Sequence, residues 1–493
     1  MALKLFNTLS HSIQEFAPLN PPKVGMYCCG PTVYDFAHIG NWRTFVFGDL
    51  VRRYLEFKGF AVTHVMNITD VEDKIIRRVR ETKTSLREFT GKYEAAFFED
   101  LKTLNCLPPH QTPRATEHIP EIIALIEKLI QRGVAYKAAD GSVYFSIEKY
   151  RGCGCTYGQL LKLNFDEMRA GERVASDEYD KESVADFALW KARVPEDGEV
   201  FWKSDSLGEG RPGWHIECSA MSMKALGETF DLHLGGEDLK FPHHEDEIAQ
   251  SEGATGKPFV KHWMHGAHLL VEGKKMSKSL GNFFTLRDLL AKGFTGREIR
   301  YLLLTAHYRE TFNFTTEGLQ GAKSALARIE ECLSKLLEFF DDTIGVIDVQ
   351  PDAKIINQFS SALDDDLNIS MAWGVIFGWI RDLNRLMAQE KLSREQAIIA
   401  IGTWKILDGV LGFDLRPRSS LRIREERGVV PIGILTSISG EEDAPADIRI
   451  LLTDRILARK GKDFKRADAI RDELKSKGWV IEDTPKGPKL KKI

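Results

Sequence analysis

Long apolar runs are missing from this sequence. No stretch approaches the ~20 consecutive apolar residues that a helix needs to cross a bilayer. Residues 1–20 have neither an uninterrupted apolar stretch nor a small-residue cleavage pattern, so they do not resemble a secretory signal. Internal repeats and low-complexity tracts are absent as well. We therefore predict a protein without a membrane partner, built from ordinary compact domains.

The sequence also lacks an excess of positive charge, and its number of cysteines is odd. The 68 Lys and Arg residues stand against 72 Asp and Glu residues, which gives a net charge of −4. A nucleic acid would therefore have to bind a local basic patch. The cysteines number 7 and are scattered, which argues against a disulfide framework and predicts a reducing, cytoplasmic location.

The 493 residues are too many for one compact core, and a prior of about 150 residues per domain predicts three or four domains. Strand patterns at Val24–Cys28 and Phe60–Met66 flank a helical pattern at Arg43–Lys58. Strand patterns return at Phe230–Leu234 and Phe259–His265. Strand, helix, strand is the unit of a parallel doubly wound sheet, so we predict an α/β fold.

The segment Gly30–Asn41 lies between the first predicted strand and the first predicted helix. Gly40 lets the backbone approach a ligand closely. The start of the following helix offers free N–H groups and a positive dipole end to phosphate. His38 can donate a hydrogen bond to phosphate oxygens, although a histidine satisfied within its own loop explains this residue equally well.

A second loop, Gly273–Asn282, is cationic and flanked by glycines. Lys275 and Lys278 can reach a triphosphate and stabilise the charge on departing pyrophosphate. An exposed basic turn would have the same composition. Both loops together, in this order on this fold pattern, favour a nucleotide site.

Two thiols, an imidazole and a carboxylate form a candidate zinc set. The four residues are Cys29, Cys218, His243 and Glu247. The last two are four residues apart, so a helix would present both on one face. Cys28 competes with Cys29 for the ligand role, and a solvated acidic face would also explain Glu247. Cys153 and Cys155 form another pair, although a one-residue spacer suits tetrahedral chelation poorly.

The two loops resemble the signatures of class I aminoacyl-tRNA synthetases. His38-Ile39-Gly40-Asn41 is similar to HIGH, and Lys275-Met276-Ser277-Lys278-Ser279 matches KMSKS. The resemblance implies that the catalytic residues are His38, Asn41, Lys275 and Lys278. Asn41 stands where the class usually has histidine. Because asparagine can donate a neutral hydrogen bond but carries no charge, we predict that His38, the lysines and backbone amides share the phosphate charge.

Three longer blocks resemble cysteinyl-tRNA synthetases: Met26–Tyr34, Arg211–Ser219 and Phe241–Gln250. In that family the cysteine directly before Gly-X-Thr-Val-Tyr binds the metal, which here is Cys29. The resemblance implies one zinc ion per chain, held by Cys29, Cys218, His243 and Glu247. It implies an amino-acid pocket formed by Thr69, Trp214 and His233. It implies that ATP contacts His38, Gly40, Asn41, Gly236, Asp238 and Lys278.

The resemblance implies activation of L-cysteine with ATP and Mg²⁺, followed by transfer to tRNA(Cys), by a monomer. An apolar pocket rejects an isosteric hydroxyl by only ~100-fold. Zinc prefers a soft thiolate and lowers the pKa of the bound thiol, so it distinguishes cysteine from serine without a separate editing site. Two alternatives are a relative that couples cysteine to a small amine and a noncatalytic zinc-stabilised RNA-binding protein.

The implied architecture is a Rossmann-like parallel-sheet catalytic domain with an insertion, followed by a helical bundle and a small anticodon-binding domain. The predicted ranges are 1–130 and 213–265 for the catalytic domain, 131–212 for the insertion, 266–320 for the KMSKS region, 321–415 for the bundle and 416–493 for the C-terminal region. Residues 451–493 hold thirteen Lys and Arg against seven Asp and Glu. This excess favours RNA contact, with Trp479 as a candidate stacking residue and the last six residues as a solvated tail.

Overall fold

The computed structural model describes residues 2–161, 186–277, 280–339 and 348–415. Beyond these it describes residues 422–425, 428–431, 448, 451, 455, 464–484 and 487–492. The chain forms two compact units. The larger unit comprises Met1–Phe339 and Pro351–Pro417, and the smaller comprises Phe340–Gln350 and Arg418–Ile493.

The larger unit combines strands and helices throughout. Its helices are α1 (Ile39–Phe57), α2 (Asp73–Thr82), α3 (Leu86–Thr103), α4 (Ile119–Gln131), α5 (Ile147–Gly152), α6 (Trp214–Leu226), α7 (Glu245–Thr255), α8 (Leu286–Ala291), α9 (Gly296–Leu303), α10 (Thr316–Leu337), α11 (Ala353–Leu363), α12 (Ile369–Ala388) and α13 (Arg394–Leu411). Its strands are β1 (Lys4–Asn7), β2 (Ser12–Glu15), β3 (Lys23–Cys28), β4 (Ala61–Met66), β5 (Ala135–Lys137), β6 (Val143–Phe145), β7 (Phe187–Ala192), β8 (Trp202–Ser204), β9 (Gly208–Pro212), β10 (Phe230–Gly236), β11 (Val260–Gly266), β12 (Leu269–Val271), β13 (Lys274–Lys275) and β14 (Phe312–Phe314).

The central sheet has the strand order β11-β10-β3-β4, and all of its neighbours are parallel. The strands are rich in buried apolar residues such as Met26, Val65 and Leu232, as expected of a sheet covered on both faces. The chain passes from β3 to β4 on one side and later returns to β10 on the other. The order therefore reverses between β3 and β10, and the crevice at their carboxyl ends is where ligands bind in such folds. The predicted parallel α/β sheet is confirmed.

Helix α1 begins at Ile39, four residues before the predicted start at Arg43. The cause is a capping box between His38 and Asn41, which the spacing of apolar residues cannot indicate because both residues are polar. The backbone N–H of Asn41 donates to His38 Nδ1 at 3.2 Å, and the backbone N–H of His38 donates to Asn41 Oδ1 at 3.1 Å. The cap satisfies two N–H groups at the start of the helix and fixes the positions of both side chains.

The chain between the halves of the central sheet forms a second, antiparallel sheet in the order β5-β6-β7-β9-β8. Phe145, Leu189 and Trp190 are buried in its core, which also includes residues of α4 and α6. The predicted hairpin arm around Gly141–Ile147 corresponds to β6, which pairs with β5. The predicted insertion, 131–212, covers this sheet, and residues 162–185 of it lie outside the described part of the chain.

Helices α10 to α13 form the bundle that the sequence predicted, with α12 packed against α11 and α10. Within the described residues, no helix is both long enough and apolar enough to span a bilayer. The smaller unit contains α14 (Phe464–Ser476) and the strands β15 (Asp348–Val349), β16 (Arg422–Glu425), β17 (Gly428–Pro431), β18 (Trp479–Thr484) and β19 (Gly487–Lys492).

Two predictions about the smaller unit are wrong. The last six residues are not a solvated tail, because β19 pairs antiparallel with β18 up to Lys492. Trp479 is not available for stacking on RNA bases, because it is 5% exposed and packs with Ile448, Ile470 and Leu474. Its ring therefore belongs to the apolar core of the smaller unit.

Acidification is expected to destabilise the larger unit through two buried histidines. His64 on β4 and His262 on β11 are 3% and 5% exposed, and their ring nitrogens have no hydrogen-bond partner among the described residues. Burial lowers the pKa of His64 to about 3 and that of His262 to about 4. The unfolded chain takes up protons below about pH 6.5 that the folded chain refuses, so stability is complete above that pH and falls toward pH 4.

The expected loss is roughly 2 kcal/mol per histidine between pH 7 and pH 5. Urea unfolding at several pH values measures it. His64→Leu is expected to flatten the acid side of the profile, and the exposed His268→Gln is expected to leave it unchanged. Parallel profiles for the native chain and His64→Leu would contradict this assignment.

Candidate active site and metal centre

The four predicted metal ligands meet at the carboxyl end of the central sheet. Donor atoms of Cys29, Cys218, His243 and Glu247 all lie within 4.8 Å of one another, and all four residues are buried. Cys29 directly follows β3, and Cys218 lies in the second turn of α6. His243 belongs to the kinked segment Lys240–His244, in which Phe241 has an extended backbone, and this segment leads into α7, which carries Glu247. Three separate segments of the chain thus converge on one point.

His243 and Glu247, which are four residues apart, are in contact although His243 precedes α7. His243 Nε2 lies 3.1 Å from Glu247 Oε1. Burial alone would lower the pKa of His243, but its interactions with Cys218 and Glu247 raise that pKa to about 10. Burial alone would raise the pKa of Glu247, but interactions with His233 and His243 lower it to about 2. A hydrogen bond from Cys29 lowers the pKa of the Cys218 thiol to about 6. The cluster is therefore strongly polarised.

Cys28 and Cys29 lie on different sides of the sheet. The Cys28 sulfur faces α1, where it would lie 3.4 Å from a Cβ placed at Gly48. Burial raises the pKa of the Cys28 thiol above its ordinary range. Cys29 belongs to the donor set, and Cys153 and Cys155 belong to none of the candidate donor sets among the described residues.

A second donor set shares two members with the first. It consists of Cys29, His233, His244 and Glu247. His233 Nε2 lies 2.9 Å from Glu247 Oε2, and the His233 ring is fully buried and stacks on Trp263 at 4.4 Å. His233 thus contacts a ligand of the first set. Its predicted role in binding the amino acid stays a prediction.

His244 belongs to a buried hydrogen-bonded row that ends at β1. His244 Nε2 lies 3.3 Å from Cys29 Sγ, and His244 Nδ1 lies 2.8 Å from His265 Nε2. His265 Nδ1 lies 2.8 Å from Thr8 Oγ1. A Cβ at Gly235 would come within 2.5 Å of the His244 ring, so a glycine is required there for His244 to occupy this position. The row holds the Cys29 sulfur from the side opposite α6.

Trp214 and Thr69 flank the donor set. Trp214 is the first residue of α6, is partly exposed, and its ring lies 4.1 Å from that of His243. Thr69 follows β4 and is buried; its Oγ1 accepts a hydrogen bond from Asn67 Nδ2 at 3.2 Å. The backbone N–H of Thr69 donates to Pro31 O, which ties this loop to the one after β3. Trp214 therefore contacts one of the four candidate ligands, and Thr69 lies on a loop tied to the segment after Cys29. Their roles in binding the amino acid stay predictions.

The two signature loops lie against each other. The Met276 methyl group would lie 3.4 Å from a Cβ placed at Gly40. The backbone N–H of Ile39 donates to Phe284 O at 2.9 Å, and the His38 ring packs edge-on against Phe283 at 5.3 Å. The two signature loops, which are far apart in the sequence, are thus in contact in the fold.

Asn282 closes the lysine loop. Its Oδ1 accepts from the backbone N–H of Ser277 at 2.8 Å, and its Nδ2 donates to Lys275 O at 3.1 Å. Lys275 ends the exposed strand β13. Lys278 lies outside the described residues, so its predicted role stays a prediction.

The predicted ATP residues at the end of β10 lie at the same sheet edge. Gly236 is the last residue of β10 and pairs with Gly266 of β11. Asp238 lies in the exposed 3₁₀ turn Glu237–Leu239 that follows. The predicted role of Asp238 in binding the ribose stays a prediction.

Comparison with known proteins agrees with this geometry. Residues 15–324 match the family described as tRNA synthetases class I (C) catalytic domain, and residues 358–416 match the DALR domain. The chain is 46% identical to a cysteine–tRNA ligase of Chlamydia muridarum over 508 aligned positions, covering 100% of both chains. It is also 46% identical to one of Protochlamydia amoebophila, covering 99% of this chain and 98% of the relative. The chain belongs to the cysteine–tRNA ligase family.

Solved structures agree on the fold of the ligase. Methionyl-tRNA synthetase of Mycobacterium tuberculosis, in complex with methionyl-adenylate, superposes with a TM-score of 0.60 at 12% identity, covering 79% of this chain and 91% of that one. A LeuRS of Agrobacterium radiobacter, in a ternary complex, gives a TM-score of 0.57 at 11% identity, covering 81% and 85%. These likenesses show the class I fold.

Sequence reasoning missed several residues that support the metal centre of the ligase. Asp246 is paired with His215 Nδ1 and with the Tyr157 hydroxyl at 2.5 Å, and Glu245 accepts the backbone N–H groups of residues 158–160. The acidic run that could have been a solvated face is therefore buried and fully engaged on one side of α7. The sequence offered one indication that this acidic run is buried, namely its position directly after His243 and His244. His265 and Thr8 carried none, since only the parallel pairing of β10 and β11 brings that edge to the centre.

Proposed function

We propose that this ligase activates L-cysteine with ATP to cysteinyl-adenylate and pyrophosphate, and then transfers the cysteinyl group to the terminal ribose of tRNA(Cys), with one zinc ion selecting the cysteine thiolate. The observation that carries the proposal is the buried convergence of two thiols, an imidazole and a carboxylate beside the loop that caps α1. The donor set would bind the sulfur of cysteine. The N-terminus of α1 would bind the phosphates of ATP, so one site would recognise both substrates.

The donor set suits zinc. Its sulfur and nitrogen donors are those that zinc prefers over Mg²⁺ or Ca²⁺. His243 Nε2 lies 3.1 Å from Glu247 Oε1, so this ring nitrogen faces the carboxylate of the donor set and could bind an ion held there. When bound, zinc supplies a thiophilic Lewis acid that attracts the sulfur of cysteine and lowers its pKa. Cys29, Cys218, His243 and Glu247 would hold it.

Protein groups around the centre would orient the amino acid. The Trp214 ring covers the His243 side of the pocket and excludes water from it. Thr69 Oγ1, held by Asn67, presents a hydroxyl at the adjoining loop. Burial of the whole cluster strengthens each electrostatic contact made there. A serine substrate would bury a hydroxyl without an equivalent partner.

ATP would lie along the same sheet edge. The first N–H groups of α1 and the His38 ring would contact its phosphates, and Gly40 would let them approach the backbone. Lys275 and Lys278 would neutralise charge on the departing pyrophosphate, with Mg²⁺ bound to ATP. Gly236 and Asp238 would contact the ribose. Asn41 Oδ1 accepts a hydrogen bond from the backbone N–H of His38. Asn41 would therefore hold the start of α1 in position as well as line the ATP site.

Cysteine-dependent ATP–pyrophosphate exchange followed by charging of purified tRNA(Cys) tests the proposal. Exchange and charging are both expected with cysteine, and neither with serine. Exchange without charging would favour a ligase that uses a small amine. Absence of exchange would leave only a noncatalytic zinc-stabilised RNA-binding protein. The cytoplasmic location, the monomeric state and the role of residues 416–493 in anticodon binding stay predictions.

A further inference from the structure

We propose that the exposed basic face of α2 and α3 binds the phosphate backbone of the tRNA acceptor end and guides that end into the active site. The basic face is defined by Arg77, Arg78, Arg80, Lys83 and Arg87, all of which are exposed. The inference rests on the proposed transfer to tRNA and adds a surface for it. It does not depend on the metal centre.

The charge of this segment is opposite to that of the chain. Residues 73–92 hold seven Lys and Arg against three Asp and Glu, whereas the whole chain has a net charge of −4. Arg78 has only a 3.9 Å contact with Glu81. Arg77, Arg80, Lys83 and Arg87 have no ion pair or side-chain hydrogen bond with any described residue. These cations are therefore available to a partner in solution.

Parts of the arrangement are unfavourable for the two helices, although the dipole of α2 favours Arg80 in its last turn. Arg77 and Arg80 are three residues apart on α2, and Lys74 and Arg78 are four apart, so like charges adjoin along the helix. Each such pair destabilises a helix by about 0.2–0.5 kcal/mol. Arg87 lies in the first turn of α3, where the helix dipole disfavours a cation. Packing does not explain these cations, because Ile75 and Ile76 form the buried face of α2.

Helix α2, which carries part of the basic face, contacts segments that lead to the predicted site residues. Helix α2 begins at Asp73, four residues after the pocket residue Thr69. Its first turn is braced by Asp73, which pairs with Arg211 and, at 2.6 Å, with Lys191. Lys74 lies 5.4 Å from the Tyr34 ring, in the loop that leads to His38. The basic face is thus rigidly connected to both walls of the active site.

Helix α3 ties the basic face to the ATP side as well. Tyr93 of α3 packs edge-on against Phe36 at 5.4 Å, and Arg287 of α8 lies over the same Phe36 ring at 5.1 Å. The Arg287 guanidinium also pairs with Asp100 of α3 at 3.1 Å. An RNA strand on α2 and α3 therefore lies against elements that contact the loop before α1. Phosphates are the groups that such a surface recognises, because they carry one negative charge each and need no base-specific geometry.

A pair of matched double variants tests the inference. Arg77→Gln with Arg80→Gln removes two cations from the basic face. Lys4→Gln with Lys23→Gln removes two exposed cations outside the basic face, one at the start of β1 and one at the start of β3. Binding of tRNA(Cys) and of a noncognate tRNA is measured by filter retention at several salt concentrations. Cysteine-dependent ATP–pyrophosphate exchange is measured on every variant in the same buffer.

The Arg77 and Arg80 variant is expected to bind both tRNAs about 10-fold more weakly and to lower the slope of log Kd against log salt by about 1.5. Exchange is expected to stay within two-fold of the native chain, which also shows that the catalytic domain is folded. The control variant is expected to change neither. The inference would be overturned if the Arg77 and Arg80 variant kept its tRNA affinity and salt slope, or if both double variants lost affinity equally. A loss confined to the cognate tRNA would exclude a phosphate contact and would also overturn it. Failure of the native chain to charge any tRNA would instead refute the proposed function.

Discussion

Cys218→Ala is expected to release the metal and to abolish cysteine activation. The change removes one of the two thiols in the donor set and leaves a buried imidazole and carboxylate without the partner that polarises them. Because the metal would make the proposed contact that separates cysteine from serine, exchange is expected to fall by roughly 10³-fold or more. Zinc content, measured by elemental analysis of the dialysed protein, is expected to fall from about one per chain to near zero.

Two variants serve as controls for the loss of metal. Cys28→Ala changes the neighbouring buried thiol that faces α1, so it is expected to keep its zinc and most of its exchange activity. His244→Gln keeps a hydrogen-bond donor near Cys29 but removes an imidazole of the second donor set. Retention of zinc in His244→Gln and loss in Cys218→Ala assign the ion to the first set. Retention in Cys218→Ala with loss in His244→Gln would assign it to the second and contradict the proposed ligands.

The ligand positions were predictable to the extent that they follow from local geometry or from the family resemblance. The four-residue spacing of His243 and Glu247 is local, and it brings the two side chains within 3.1 Å although His243 precedes the first residue of α7. The choice between Cys28 and Cys29 is not local, because adjacent residues at a strand end face opposite sides and nothing in the sequence marks which side carries α6. The family blocks supplied that choice. His265 and Thr8 come from distant strands, and only the assembled sheet brings them to His244.

Fold prediction succeeded for elements with strong apolar patterns and failed where polar pairing decides. The four strands of the central sheet were found within one or two residues of their ends, since most residues in each strand are buried and several of them are apolar. The start of α1 was missed because a histidine and an asparagine form its cap. The strand β19 was missed because its lysine-rich composition is that of a solvated tail, and its pairing with β18 is a tertiary contact. Trp479 was assigned to RNA stacking because its burial also depends on tertiary contacts, with Ile448, Ile470 and Leu474.

His38→Ala is expected to lower the rate of adenylate formation by about 10²–10³-fold, the usual cost of removing one donor that stabilises transition-state charge. The ring has two tasks here. It faces the loop of Met276 beside Gly40, and its Nδ1 accepts the backbone N–H of Asn41 as the cap of α1. Loss of the cap alone costs about 1 kcal/mol of stability. Exchange kinetics at saturating cysteine, together with the thermal midpoint, measure both effects.

His38→Ser separates the two tasks. Serine caps a helix as well as asparagine or aspartate does, so the thermal midpoint is expected to recover to that of the native chain. Its hydroxyl is too short to take the place of an imidazole at a phosphate, so exchange is expected to stay as low as in His38→Ala, with KM for cysteine changed by less than about three-fold in both. Recovery of exchange together with stability would show that His38 acts through the position of α1. In that case the charge on the phosphates would be carried by the lysine loop and the backbone N–H groups of α1.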